Sequence, residues 1–236
     1  EIEADVRTAD PDLPLYVYAD GRLRQVPFSP REFLTTDLLS TRGKLRMLAE
    51  PLTEGANDDE TAAAYFVRKF GREAYHNVIE PLFGGIYGSD PAEMPGKYAL
   101  QTISRMERSG SLLRAAIRRQ LDGKDRKPPV SFNDGMAQLP RALYEHNADR
   151  VALETAVDRI VPEGTGYRLE TEDGSHRVDH VVVTVRADVA AGLLADVDAD
   201  SARALRRLYY NPLAYVHLHS AAAPAGYGYQ VRHDEP

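Results

Sequence analysis

The sequence contains no cysteine, so a disulfide framework and a thiolate metal centre are both excluded, and redox chemistry gives no reading of the compartment. It contains no apolar run long enough to cross a bilayer and no secretory signal pattern, so any membrane association is expected to be peripheral. Lysine is scarce, with 5 against 24 arginines, a bias that either codon usage or salt adaptation produces. The net charge of −7 argues against nonspecific nucleic-acid binding. Also missing is a Gly-x-Gly-x-x-Gly turn after a predicted strand, the backbone cradle for a dinucleotide pyrophosphate; Gly226-Tyr227-Gly228-Tyr229-Gln230-Val231 lacks the last glycine.

What is present suffices for a large core, since 43% of the 236 residues are hydrophobic and the length permits one large or two ordinary domains. The most informative stretch runs from Lys69 to Met94. Arg72 to Glu80 sets Ala74 and Val78, with Tyr75 and Ile79, on one broad helical face, and Pro81 is expected to stop that helix. Gly84, Gly85 and Gly88 follow in an expected loop, and Gly88-Ser89-Asp90-Pro91 reads as a turn. Glycine at that density permits positive φ or close approach of another group, although a tight interhelical connection would use it equally well.

Upstream, Leu15 to Val26 reads as a hairpin turning at Asp20-Gly21. Ser29, Pro30 and Glu32 form a capping-box start for a helix. Further helices are predicted at 41–50, 59–70, 97–107, 111–122, 136–145, 188–194 and 201–208, with a loop at 123–129. Strands are predicted at 151–153 and 156–161, and a ribbon over 167–178 turns at Asp173-Gly174. His180 to Val185 is a nearly continuous β-branched run, the pattern of a strand buried on both faces.

Several of these motifs, in this order, resemble the protoporphyrinogen oxidase family, FAD-dependent enzymes of the amine-oxidase-like superfamily. Leu38 to Pro51 is similar to its Leu-Ser-x-x-x-Lys-Leu-x-Met-Leu-x-Glu-Pro segment. Phe70-Gly71, Glu80-Pro81 and Gly85-Ile86-Tyr87-Gly88-Ser89-Asp90 match its helical section. Ser109-Gly110-Ser111 resembles the opening of the last helix of that section. Phe132 to Leu139 resembles a Phe-x-Gly-Gly-Met-x-x-Leu turn, with Asp134 replacing the first glycine at some conformational cost. Tyr209 to Val216 and Gly226 to Tyr229 look like two central strands of the substrate domain.

The resemblance implies an α+β fold: a mixed sheet of a substrate domain, a mainly helical insertion, and part of an FAD-binding α/β domain. The expected segments are 1–30 and 196–236 for the substrate domain, 31–122 for the insertion and 123–195 for the flavin domain, within a larger protein extending past both ends. It implies oxidation of protoporphyrinogen or coproporphyrinogen by hydride transfer to FAD, a cytoplasmic location, peripheral membrane contact and a homodimer. Val157 corresponds to a valine whose backbone touches adenine, and Thr184 closes a strand near the cofactor, although Arg186 stands where proline is usual. Leu213, Ala214 and Gln230 lie on segments that resemble pocket-lining strands. A propionate calls for a guanidinium; Leu15 stands where some members have it, leaving Arg22 and Arg24 as substitutes by proximity. Leu38, Leu39, Leu45, Met47 and Leu48 form an expected apolar surface. His76 with Glu80, and His217 with His219, fall short of a metal-ligand set. A noncatalytic binding or scaffold module with the same fold remains the second reading.

Overall fold

The computed structural model describes residues 5–10, 12–57, 59–107, 111–121, 129–220 and 225–235. The predicted loop at 123–129 and the Ser109-Gly110 pair fall largely outside them. The chain divides into two compact units, one of residues 1–7 and 131–212, the other of residues 8–130 and 213–236. Strands β1 (Val6–Thr8) and β4 (Val130–Phe132) form a two-stranded ladder.

The larger unit is built on a three-stranded sheet of order β3-β2-β8, with β2 Leu15–Ala19, β3 Arg22–Gln25 and β8 Gly228–Val231. The β2–β3 hairpin turns through Asp20 and Gly21 at φ 53° and 75°, the two successive left-handed residues that a twisted two-residue hairpin requires. β8 runs parallel to β2, with Val17 opposite Gln230. Helix α1 (Pro30–Thr35) starts on the predicted capping box, with the Ser29 hydroxyl accepting from the Glu32 amide and Glu32 accepting from the Ser29 amide. Ser29→Ala is expected to cost about 1 kcal/mol, measurable as a lower urea midpoint at unchanged slope.

Helices α2 (Thr41–Leu48), α3 (Ala62–Phe70), α4 (Arg72–Ala74), α5 (Glu80–Tyr87), α6 (Gly96–Ala99), α7 (Gln101–Glu107) and α8 (Leu112–Leu121) complete this unit. One core gathers Val17, Ala19 and Val26 of the hairpin with Leu38, Leu39 and Ala74; a second gathers Ala62, Tyr65, Phe66, Tyr75 and Leu100. The Arg46 guanidinium donates to the carbonyls of Lys69 at 3.1 Å and Arg68 at 2.5 Å, capping the end of α3.

Pro81 does not stop the helix. Residues Tyr75–Ile79 form a π-helical turn in which the Glu80 amide reaches back to the Tyr75 carbonyl, and Pro81 sits in the first turn of α5. There its missing N–H and its ring are tolerated, because the wider turn shifts the hydrogen-bond register just before it. Gly84 and Gly85 are accordingly helical, and the loop begins only at Gly88, a left-handed cap at φ 59°.

The smaller unit holds an antiparallel sheet of order β5-β6-β7, with β5 Val157–Glu163, β6 Gly166–Thr171 and β7 Gly174–Val178. Helices α9 (Gln138–His146), α10 (Ala187–Leu193) and α11 (Ala199–Leu205) lie in the same unit. In the 132–139 turn the positive φ of 81° falls on Gly135, so Asp134 bears no left-handed strain.

Three predicted strands do not form. Residues 151–153 follow a short helical turn without entering a sheet. Residues 180–185 are irregular, with Val182 86% exposed, and 209–216 are irregular and exposed throughout. A β-branched run becomes a strand only where a neighbour takes up its backbone groups, and none of these runs has a ladder partner among the described residues.

Candidate functional site

The glycine-dense end of α5 and strand β8 converge within the larger unit. Gln230 is registered with buried Val17 and therefore points to the sheet face on which the helices pack. Its carboxamide lies directly over Gly85, so close that a Cβ at residue 85 would overlap it. Leu213 approaches the next glycine, with a Cβ built at Gly88 3.5 Å from its Cδ2. Thus Gln230 and Leu213 meet the glycines of α5 from two separate chain segments. The glycine requirement at Gly85 is one of close approach rather than positive φ.

Aromatic rings carry this site outward from the core. The Tyr65 and Phe66 rings lie edge to face at 5.3 Å and Phe66 and Phe83 likewise at 5.0 Å, while Phe83 and Tyr87 are tilted at 4.7 Å. Beyond them Ile86 is 76% and Leu213 83% exposed, leaving an apolar surface at the end of a rigid aromatic stack. Ala214 is exposed on the same ribbon.

The π turn is tied to the sheet from behind. Asn77 donates to the Leu38 carbonyl at 2.9 Å and accepts from Arg232 at 3.2 Å. Arg232 also pairs with Asp20 at 2.7 Å, Asp234 at 2.5 Å and Glu235 at 3.0 Å. His76 Nδ1 meets Glu80 Oε2 at 2.6 Å. Burial, reinforced by the adjacent Glu80 carboxylate, pushes the Tyr75 hydroxyl well above its ordinary value, so it stays neutral.

The two arginines considered for a propionate are already engaged. Arg22 pairs with Asp37 at 2.6 Å, and Arg24 with Asp20 at 2.5 Å and the Asp37 carbonyl at 3.1 Å. Both lie on β3, across β2 from Gln230, roughly 10 Å or two strand spacings away. The expected apolar surface divides: Leu38 and Leu39 are buried and Met47 packs against the same core, whereas Leu45 and Leu48 are exposed. Spacing alone could not assign them, because Leu38 and Leu39 precede the helix and turn inward with the chain.

In the smaller unit Val157 opens β5, opposite Thr171, with a bulge before Arg159. β5 is an edge strand, so its outer row of backbone groups has no ladder partner among the described residues. Thr184 is exposed on the irregular 180–185 segment and has no hydrogen bond among the described residues. The structure thus puts Val157 at the start of an edge strand and Thr184 on an irregular exposed segment, and the sequence supplies no glycine-rich cradle for a pyrophosphate.

One cluster escaped sequence reasoning. Lys69 Nζ meets Glu50 Oε1 at 2.9 Å and also pairs with Glu107 Oε1, with Lys69 and Glu50 only 1% and 0% exposed. Glu50 Oε2 accepts from the Ser111 hydroxyl at 2.5 Å and from the Leu113 amide at 3.2 Å, and its Oε1 from the Leu112 amide at 3.2 Å, capping α8. Burial pushes the Glu50 carboxyl up, but the Ser111, Lys69, Leu113 and Leu112 hydrogen bonds outweigh it and hold Glu50 below its ordinary value. The available signal was a lysine at the i+7 position of the apolar stripe Ala62, Tyr65, Phe66.

A helical unit with a three-stranded mixed sheet and, in the same chain, a unit with a three-stranded antiparallel sheet and helices make up an α+β protein. The chain belongs to the flavin containing amine oxidoreductase family, whose model matches residues 2–224. It is 32% identical over 238 residues to the chloroplastic protoporphyrinogen oxidase of Oryza sativa subsp. japonica, covering 91% of this chain and 44% of that protein. It is 29% identical over 188 residues to coproporphyrinogen III oxidase of Staphylococcus aureus, covering 72% of this chain and 40% of that protein. Cyclohexylamine oxidase from Brevibacterium oxydans shares the fold, with a TM-score of 0.56 at 19% identity over 86% of this chain and 47% of that one. The chain thus spans less than half the length of these proteins.

Proposed function

We propose that this chain is the substrate-side portion of a flavin-dependent porphyrinogen oxidase that converts protoporphyrinogen or coproporphyrinogen to the porphyrin. The carrying observation is the convergence of Gly85, Gly88, Gln230 and Leu213 beside an exposed apolar surface within a chain of this family. A flat macrocycle needs such a surface together with a few fixed polar groups, and the Gln230 carboxamide can both donate and accept toward pyrrole nitrogens. When bound, FAD supplies the acceptor for hydride from the macrocycle. The backbone edge at Val157 would hold its adenine, while Thr184 would stand near it without a binding role. Ala214 would continue the substrate ribbon beside Leu213. Arg22 and Arg24 keep their carboxylate partners and are not assigned to a propionate.

The same reading includes peripheral membrane contact through Leu45 and Leu48 of α2, 64% and 48% exposed, with Leu52 of the following turn 89% exposed. No helix among the described residues is long and apolar enough to cross a membrane. A homodimer through the helical section belongs to the same proposal.

Fluorescence-quench titration of the chain with the product porphyrin, run beside a flavin titration, tests the reading. Saturable porphyrin binding that weakens at least about tenfold in Leu213→Asp is the expected result. Porphyrin quenching that is nonsaturable and indifferent to Leu213→Asp would remove the assignment and leave a noncatalytic module of this fold.

A further inference from the structure

A second concavity lies in the helical section, away from α5 and β8 in the chain. It is a half-open cleft of about 320 Å³ whose lining includes Asn57, Gly96, Lys97, Gln101, Ser104 and Arg105. α6 and α7 are joined through Leu100 with nearly unbroken helical hydrogen bonding, since the Leu100 amide reaches the Gly96 carbonyl and the Ser104 amide the Leu100 carbonyl. Lys97, Gln101, Ser104 and Arg105 therefore stand at i, i+4, i+7 and i+8 on one helix face.

The polar groups of this wall are mostly donors. The Lys97 ammonium has the Tyr98 ring at 6.0 Å and no carboxylate partner among the described residues. Among the described residues the Arg105 guanidinium donates only to its own helix, at 3.3 Å to the Gln101 carbonyl. The side-chain amides of Asn57 and Gln101 and the Ser104 hydroxyl retain donors free of other described residues. Of the carboxylates behind the wall, Glu60 is spent on Arg68 at 2.6 Å, and Glu107 on Lys69 and, at 2.9 Å, on the Ala56 amide. Among the described residues neither of the two cations lining the cleft has a carboxylate partner.

We propose that this cleft binds an oxyanion of the phosphate class, carried on a small molecule or a lipid headgroup, with Arg105 and Lys97 supplying the charge and Gln101, Ser104 and Asn57 the orienting donors. Arg105 provides the forked guanidinium suited to two oxygens, Lys97 a point charge, and the volume admits a phosphate monoester with its first carbons. The site is independent of the porphyrin reading, since none of its residues belongs to the α5–β8 convergence.

Titration calorimetry of the full chain at low ionic strength with inorganic phosphate and pyrophosphate, together with flotation on phosphatidylcholine vesicles with and without phosphatidate, tests it. The expected result is saturable binding to pyrophosphate or to the phosphatidate vesicles, weakened about tenfold in each of Lys97→Met and Arg105→Gln and lost in the double variant. Arg141→Gln, an exposed arginine change in the other unit, should leave binding intact. Pyrophosphate binding alone identifies a soluble phosphate ester, and vesicle binding alone a headgroup. Absence of saturable binding to every probe, or binding equal in the wild type and the double variant while both keep the same melting curve, would overturn the assignment. Both substituted side chains are exposed, so the variants should retain the fold.

Discussion

Lys69→Met is expected to destabilise the helical unit by about 3–5 kcal/mol, the largest effect of any single substitution considered, because it leaves two buried carboxylates without their shared cation. In the wild type Lys69 is the shared cation of both carboxylates: it bridges Glu50 and Glu107, Ser111 and the first amides of α8 take up Glu50, and the Ala56 amide takes one oxygen of Glu107. The adjacent Tyr65 hydroxyl is pushed far up by burial and by the Glu107 charge, so it stays neutral and adds no further negative charge to the cluster. Chemical denaturation read by far-ultraviolet circular dichroism would measure the loss. Adding Glu107→Gln to Lys69→Met should return part of it, because one uncompensated charge is removed; a double variant no more stable than the single one would contradict the electrostatic account. A pH dependence follows from the same group. Glu50 is held below its ordinary value of 4.5, so its contribution is complete above that value and is lost as the pH falls through the lower folded value. Glu50→Gln should therefore flatten the acid limb of the stability curve.

Gly85→Val is expected to abolish porphyrin binding and to cost about 1–3 kcal/mol of stability, since the new side chain occupies the space of the Gln230 carboxamide over α5. Helical Gly85 has no unusual φ, so Gly85→Ala carries a gain in helix propensity of about 1 kcal/mol that works against the overlap. This separates the two accounts of the glycine. Under close approach, Gly85→Ala combined with Gln230→Ala should be more stable than Gln230→Ala alone, because the obstructing amide is gone and the propensity gain remains. A double variant less stable than Gln230→Ala would mean that something other than Gln230 demands a glycine. Porphyrin titration of Gln230→Ala by itself then reports the contribution of the amide, expected as about a tenfold weaker dissociation constant.

The boundary between what could be read and what could not follows the range of the interactions. The capping box at Ser29, the hairpin at Asp20-Gly21, the ribbon over 167–178 and most helices depend on contacts within a few residues, and those were legible. Pro81 was misjudged because a π turn relieves it, and a π turn is held by the packing of Tyr75 and by Asn77 reaching Leu38, which is distant in sequence. The runs at 180–185 and 209–216 have strand composition, but a strand exists only with a partner. The site residues divide in the same way. Gly85 and Gln230 were each singled out, yet their meeting depends on β8 lying parallel to β2 across most of the chain length. Arg22 and Arg24 lie on β3 as expected, and their pairing with Asp37 and Asp20 is something no spacing reveals. Lys69, Glu50 and Glu107 became one cluster only when α3, α7 and the start of α8 packed together.

By itself the sequence determined the local elements, the absence of thiol chemistry and the family, because these rest on residue type and short spacing. Only the tertiary structure decided which glycine makes room for Gln230, which arginines are already neutralised and where charge is buried, since each depends on groups brought together from distant positions in the chain.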